Sequence, residues 1–389
     1  MKNKLFTVGI FVITAVVIGF YPFVQKSADA TVNTTLNNKP KIQLAILLDT
    51  SSSMDGLIDQ ARNQLWQVVN EFSKAERDGV KPSLQVAVYE YGNSRLAANN
   101  GYIRQVSSLT GELDQVSEAL FSLTTNGGSE YCGYVIKTAV SELPWSSSEG
   151  DIKAIFIAGN EPFTQGPVSY KSAIALAKQK GITVNTIHAG NKQQGANSGW
   201  KDSALLAGGE YMAIDHNHKI AHINAPQDKN IAALNEKLNK TYIPYGVKGR
   251  EKAQRQKVQD DKSKSISSAL LSKRAAAKAS AMYDNSSWDL VDALETGKVK
   301  LDKLEEKELP EPLRPMSKSE RKDFLVKKVE ERQKLKKEIA RLSAERSEYV
   351  TRKKMEAAEL NAPSVATMNE AVTTAIQKQG EAKNYKFKK

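Results

Sequence analysis

The 389-residue chain is 40% hydrophobic and 26% charged, which excludes a polymer disordered throughout and allows one ample core plus further modules. Its mean hydropathy of −0.47 limits membrane-like sequence to a single segment. Cys132 is the only cysteine, so no intrachain disulfide forms; the formal net charge of +12 is uneven, with 34 lysines and arginines against 23 acidic residues in 248–389 and a nearly neutral remainder.

The N-terminus has a basic start at Lys2 and Lys4, an apolar run from Leu5 to Val24, and small residues at Ala28 and Ala30. That order predicts a removed export signal over 1–30. The alternative is an uncleaved membrane anchor, because the run has about the 20 apolar residues a spanning helix needs. Either reading places the rest outside the cytoplasm: periplasmic, surface-bound or secreted. No cysteine follows the run, so a lipid-modified N-terminus is not expected.

After a polar linker over 31–40, strands and helices alternate. Apolar runs predict strands at 42–48, 83–91, 152–159, 182–190 and 210–215. Leu57, Ala61, Leu65, Val68, Val69 and Phe72 recur at spacings of three and four, predicting a helix over 54–76. Further helices are expected at 113–123, 130–143, 169–181 (closed by Gly181) and 201–209. Continuous apolar strands between amphipathic helices imply a mostly parallel sheet covered on both faces over 41–226. A helical region follows over 227–308. It holds a helix leading into an extended aromatic piece over 231–246, a long solvated helix at 251–282 and a capped helix at 285–297. Three prolines break the chain at 309–316. A charged helix over 317–360 carries a sparse seam of Leu325, Leu335, Ile339, Leu342 and Tyr349, interrupted by Arg332 and Arg346. The seam predicts a weak coiled coil or a helix packed on a partner. A basic tail occupies 361–389.

Chemistry concentrates in "AILLDTSSSMDGL". Where a strand ends and a helix begins, Asp49, Thr50, Ser51, Ser52 and Ser53 stand side by side. A hard cation such as Mg²⁺ takes a near-octahedral set of oxygens and keeps some of its waters. In a curled loop Asp49, Ser51 and Ser53 can converge while Thr50 and Ser52 point elsewhere. So lightly charged a set leaves the metal able to accept a carboxylate from another molecule. The simpler reading is that these oxygens satisfy the N-terminal amides of the following helix.

D-x-S-x-S between an apolar strand and a long helix resembles the metal-ion-dependent adhesion site of von Willebrand factor A domains. The resemblance covers about residues 40–220. It implies a Rossmann-like α/β fold, a divalent cation (Mg²⁺, or Mn²⁺ or Ca²⁺), and contact with an acidic residue of a protein partner. In "TTNGGSEYCG", Ser129 matches the family's next ligand, a threonine, and Glu130 adjoins it. The family's last ligand, an aspartate, is replaced by Gly159; Asn160 and Glu161 are the neighbours that can reach the cation directly or through water.

Other features carry less. His216, His218 and His222 beside Asp215 match no structural zinc spacing and predict a surface turn, His188 a packed edge residue, and Cys132 a small buried thiol. No G-x-S-x-G elbow and no phosphate loop occurs, so an enzyme is not expected. The tail "KNYKFKK" predicts a solvated end or contact with an anionic membrane or polysaccharide surface; export takes nucleic acid out of reach. Three functions emerge: an exported adhesion module acting through a cation, an envelope protein with a degenerate metal site that acts by self-association or surface attachment of its basic helical third, and, as the weakest, a hydrolase using the histidine cluster with zinc.

Overall fold

The computed structural model describes residues 39–215, 222–305, 308–358 and 368–387. The predicted export signal lies outside them, as do most of the linker, His216 and His218. Among the described residues no helix is long and apolar enough to cross a membrane.

The chain runs β1 (Lys41–Asp49), α1 (Asp55–Phe72), β2 (Ala75–Arg77), β3 (Ser83–Tyr91), β4 (Ile103–Thr110), α2 (Leu113–Ser122), α3 (Cys132–Glu142) and β5 (Ile152–Gly159). Then come α4 (Tyr170–Gln179), β6 (Thr183–Ala189), α5 (Lys192–Asn197), α6 (Trp200–Leu206) and β7 (Tyr211–Ile214). The sheet order is β4-β3-β1-β5-β6-β7. All pairs are parallel except β3 with the edge strand β4, which the sequence reading missed. β4 is half exposed, so it lacks the continuous apolar run that marks its neighbours. β1 and β5 are almost wholly buried because helices cover both faces: α3, α4 and α6 on one, α1, α2 and later helices on the other. From β1 the chain goes first to β3 and β4, then returns to β5 on the other side. This makes the carboxyl ends of β1 and β5 the switch point, where open α/β sheets form their binding crevice.

The remaining helices are α7 (Asp228–Asn239), α8 (Gly249–Ile266), α9 (Ser268–Ala279), α10 (Leu290–Glu295), α11 (Lys318–Ala358) and α12 (Met368–Glu381), followed by β8 (Tyr385–Phe387). They pack onto the α/β part: α9 and α12 against α1, α8 against α2. The expected solvated helix over 251–282 is two helices, broken at Ser267, whose hydroxyl caps α9 by accepting from Leu270 N–H at 3.0 Å. It is not solvated: Gln256, Gln259, Asp260, Arg274 and Lys278 are buried. The α11 seam faces α7 and α9 of the same chain in place of a partner helix. Its two arginines are buried because each meets carboxylates: Arg346 Nε donates to Asp228 at 2.6 Å, and Arg332 to Asp289 and Asp292.

The predicted helix over 54–76 stops at Phe72, and β2 pairs antiparallel with β8 from the tail. The tail aromatic Tyr385 is buried; its hydroxyl donates to the Lys41 carbonyl at 3.0 Å, and its ring lies under the Arg77 guanidinium. Lys383 donates to the carbonyls of Glu149 and Asp151. The described part of the predicted free end therefore closes the edge of the fold where β1 and β5 begin, opposite the switch point. Tyr385→Phe removes one such hydrogen bond and is expected to cost about 1 kcal/mol in urea unfolding.

Candidate metal centre

β1 delivers Asp49 to the switch point fully buried. The chain then curls at once. Ser51 N–H donates to Asp49 Oδ1 at 2.7 Å, and Met54 N–H to the Ser51 carbonyl at 3.0 Å. Thr50 points away, as its position in the alternation predicts: its hydroxyl donates to Glu90 Oε2 and the Tyr91 carbonyl, both at 3.2 Å. The capping reading fails locally. Met54 is the N-cap of α1, and no side chain caps that helix. Ser53 is exposed, and its Oγ accepts from Asn160 Nδ2 at 3.2 Å, which joins the β1 loop to the β5 loop.

Glu130 arrives on the Gly127–Gly128 loop. A Cβ on Gly128 would lie 2.4 Å from the Gly92 carbonyl oxygen, so only glycine lets this loop press against the end of β3. A Cβ on Gly92 would lie 2.6 Å from Glu130 Cγ and 2.8 Å from Asp49 Oδ1, so the two acidic side chains converge over that glycine. Burial pushes the Asp49 carboxyl up to about 7; Ser51 opposes the rise, and Glu161 adds to it. Burial pushes Glu130 up to about 8, with Asp49 and then Glu161 contributing. Gln165 braces the set: its Oε1 accepts from Glu130 N–H at 3.1 Å, and its Nε2 donates to Glu161 Oε2 at 3.4 Å. Ser129, half buried in the same loop, is not hydrogen-bonded to the other candidates.

Asp49 Oδ2, Glu130 Oε2 and Asn160 Oδ1 are buried without a hydrogen-bond partner. Among the described residues no lysine or arginine pairs with either carboxylate. Two facing carboxylates with acceptor atoms left open suit a cation. Among the described residues no three His, Cys, Asp or Glu side chains form a metal-holding group. A cation here therefore draws on hydroxyl, amide and water oxygens besides Asp49 and Glu130, as hard dications do.

Gly159 is fixed by crowding. A Cβ there would stand 2.5 Å from Tyr91 Oη and 3.1 Å from Asp49 Oδ2. Tyr91 fills the space an aspartate would need, its hydroxyl donating to the Ala158 carbonyl at 3.1 Å. The sequence reading missed Tyr91, Gly92 and Gln165. The only available signal was "YEYGN" at a strand end. Cys132 is buried beside Tyr91, with Sγ 3.8 Å from its hydroxyl. His188 is buried against Trp200, ring centres 5.6 Å apart.

The family model for the von Willebrand factor type A domain matches residues 43–198. No curated protein matches the chain. Solved structures match 45–46% of the chain. Proximal thread matrix protein 1 from the mussel byssus, described with a zinc-occupied MIDAS motif, is 16% identical over 45% of this chain and 42% of its own, with a TM-score of 0.34. BatB from Bacteroides thetaiotaomicron is 16% identical over 45% of this chain and 90% of its own, with a TM-score of 0.35. The pilus adhesin SpaC from Lactobacillus rhamnosus GG is 15% identical over 46% of this chain and 28% of its own, with a TM-score of 0.34. The chain thus spans less than half the length of the mussel matrix protein. With a matching family model over 43–198, strands in the expected order and a D-x-S-x-S loop at the switch point, the chain carries a von Willebrand factor type A domain.

Proposed function

We propose that the chain is a non-enzymatic interaction module, exported from the cytoplasm, that binds a divalent cation at the β1–β5 rim and through it an acidic residue of a protein partner. Asp49, Ser51, Ser53 and Glu130 are the principal ligands. Asn160, Glu161 and Ser129 are close enough in sequence to contribute directly or through water. Mg²⁺ is the expected ion, with Mn²⁺ and Ca²⁺ as competitors for the same oxygens. Glu130 restores the charge missing at Gly159, supplied from the loop before α3 instead of the end of β5. The carrying observation is the buried Asp49–Glu130 pair, in which Asp49 Oδ2 and Glu130 Oε2 have no hydrogen-bond partner.

Isothermal titration of the full chain with each ion tests this. Wild type is expected to give a saturable heat that Asp49→Ala abolishes and Glu130→Gln weakens. At one hundred times Kd the cation adds about 2.7 kcal/mol of stability to wild type and nothing to Asp49→Ala. Heats indistinguishable from dilution for all three ions would remove the proposal. The partner is then sought by pull-down from the host envelope with and without chelator.

A further inference from the structure

The carboxyl ends of α7 and α9 meet beside α8 and bring a lysine, an asparagine and an aspartate into one triangle. Lys278 of α9 is fully buried, and its Nζ donates to Asn239 Oδ1 at 2.5 Å and to Asp260 Oδ2 at 3.0 Å. Asn239, the last residue of α7, closes the triangle: its Nδ2 donates to the same Asp260 Oδ2 at 2.7 Å. Asn235 Nδ2 also donates to that oxygen, at 2.8 Å, but the lysine contact is with Asn239. An ion pair needs only the lysine and the aspartate. Here the lysine nitrogen also rests on an amide oxygen, and one carboxylate oxygen holds both that nitrogen and the nitrogen of the amide. A carbonyl C–O bond is about 1.23 Å, so Nζ lies at most about 3.7 Å from the amide carbon. Oriented groups react from about 3–3.5 Å. Burial lowers the Lys278 pKa to about 8, with Asp260 opposing and Arg274 adding to the fall, so the nucleophilic neutral amine is within reach near neutral pH.

We propose that Lys278 and Asn239 join through their side chains as an amide, with Asp260 carrying the proton between them. Lys278 Nζ gives one proton to Asp260 and attacks Asn239 Cγ. The Nζ–Cγ bond forms and the Cγ–Nδ2 bond breaks. Nδ2 takes a second proton from the attacking nitrogen and the first back from Asp260, and it leaves as ammonium. Nothing is oxidised or reduced, and the single positive charge of the lysine departs with the leaving group. Asp260 ends as the carboxylate it was, still paired with Arg274, whose Nε lies 2.5 Å from Oδ1. Burial also keeps water, the competing nucleophile, from the amide carbon. The bond would tie α7 to α9 around α8 in a chain whose only cysteine rules out an intrachain disulfide.

Intact mass spectrometry of the denatured full chain tests this, on wild type, Lys278→Met and Asp260→Asn. Once the substitutions themselves are allowed for, wild type is expected to be lighter than both variants by about 17 Da, the ammonia lost. Trypsin should then fail to cut wild type at Lys278 and release one branched peptide that joins residues 275–298 to residues 238–240. That peptide identifies the bond whether or not the variants fold. Asp260→Asn with native circular dichroism, both reacting groups present and no branched peptide, assigns the proton transfer to Asp260. Three results overturn the proposal: no mass loss in folded wild type, the same loss without a branched peptide (an imide ring closed at a single asparagine), or the branched peptide recovered from Asp260→Asn.

Discussion

Asp260→Asn is expected to destabilise the chain by about 3–5 kcal/mol at neutral pH, the cost of breaking a buried ion pair by removing one partner. Asp260 on α8 accepts from Arg274 Nε at 2.5 Å, Lys278 Nζ at 3.0 Å, Asn235 Nδ2 at 2.8 Å and Asn239 Nδ2 at 2.7 Å. Both cations are fully buried. Arg274 also donates to Asp114 of α2 at 2.7 Å and lies over the Trp66 ring of α1, 4.5 Å from its centre. The network therefore fastens the C-terminal helices to the A domain. The isosteric variant keeps the shape and deletes the charge, so the buried cations face a neutral amide. Burial alone would raise the Asp260 pKa, but Lys278 and Arg274 hold it far below the ordinary carboxylate range. A depressed folded-state value means the stabilisation is fully present above the unfolded pKa of about 3.9 and is lost as pH falls below it. Urea unfolding at pH 7 and between pH 4 and 2 should show the gap between wild type and variant narrowing with acid. A gap under about 1 kcal/mol at pH 7 would mean that the network does not hold the two parts together.

Gly159→Asp, which would rebuild the family's missing ligand, is expected to weaken the protein by about 1–3 kcal/mol or more, as overpacking does in a filled core. The new Cβ meets the Tyr91 hydroxyl at 2.5 Å and the Asp49 carboxyl at 3.1 Å, and the substitution adds a third carboxyl to a buried acidic pair. Tyr91→Phe deletes the nearer obstacle. The double variant should recover part of the loss, giving a favourable coupling in a double-mutant cycle read by urea unfolding. Strict additivity would show that Tyr91 is not what excludes a side chain at 159.

How far the sequence reached depends on the kind of signal. The helix over 54–76 was legible because Leu57, Ala61, Leu65, Val69 and Phe72 line one face, yet its end was missed. Residues 75–77 become a strand only because the tail, more than 300 residues on, supplies β8. Arg332 looked like a flaw in the α11 seam, but its guanidinium meets Asp289, Asp292 and the Thr241 carbonyl, all from outside that helix. At the rim, Asp49, Ser51 and Ser53 were legible as a contiguous motif. The convergence of Glu130 on Asp49 was not, since it depends on two glycines, Gly92 and Gly128, letting separate loops touch.

By itself, the sequence determined the parallel α/β sheet, the placing of oxygen-rich side chains at the end of its first strand and the concentration of positive charge in the last third. Each is written in the composition or periodicity of contiguous residues, where burial needs only an apolar face. Tertiary structure alone decided which charges are neutralised and why Gly159 must lack a side chain. A buried charge is stable only with a partner from another element, and which element arrives is set by how the helices dock, not by local pattern.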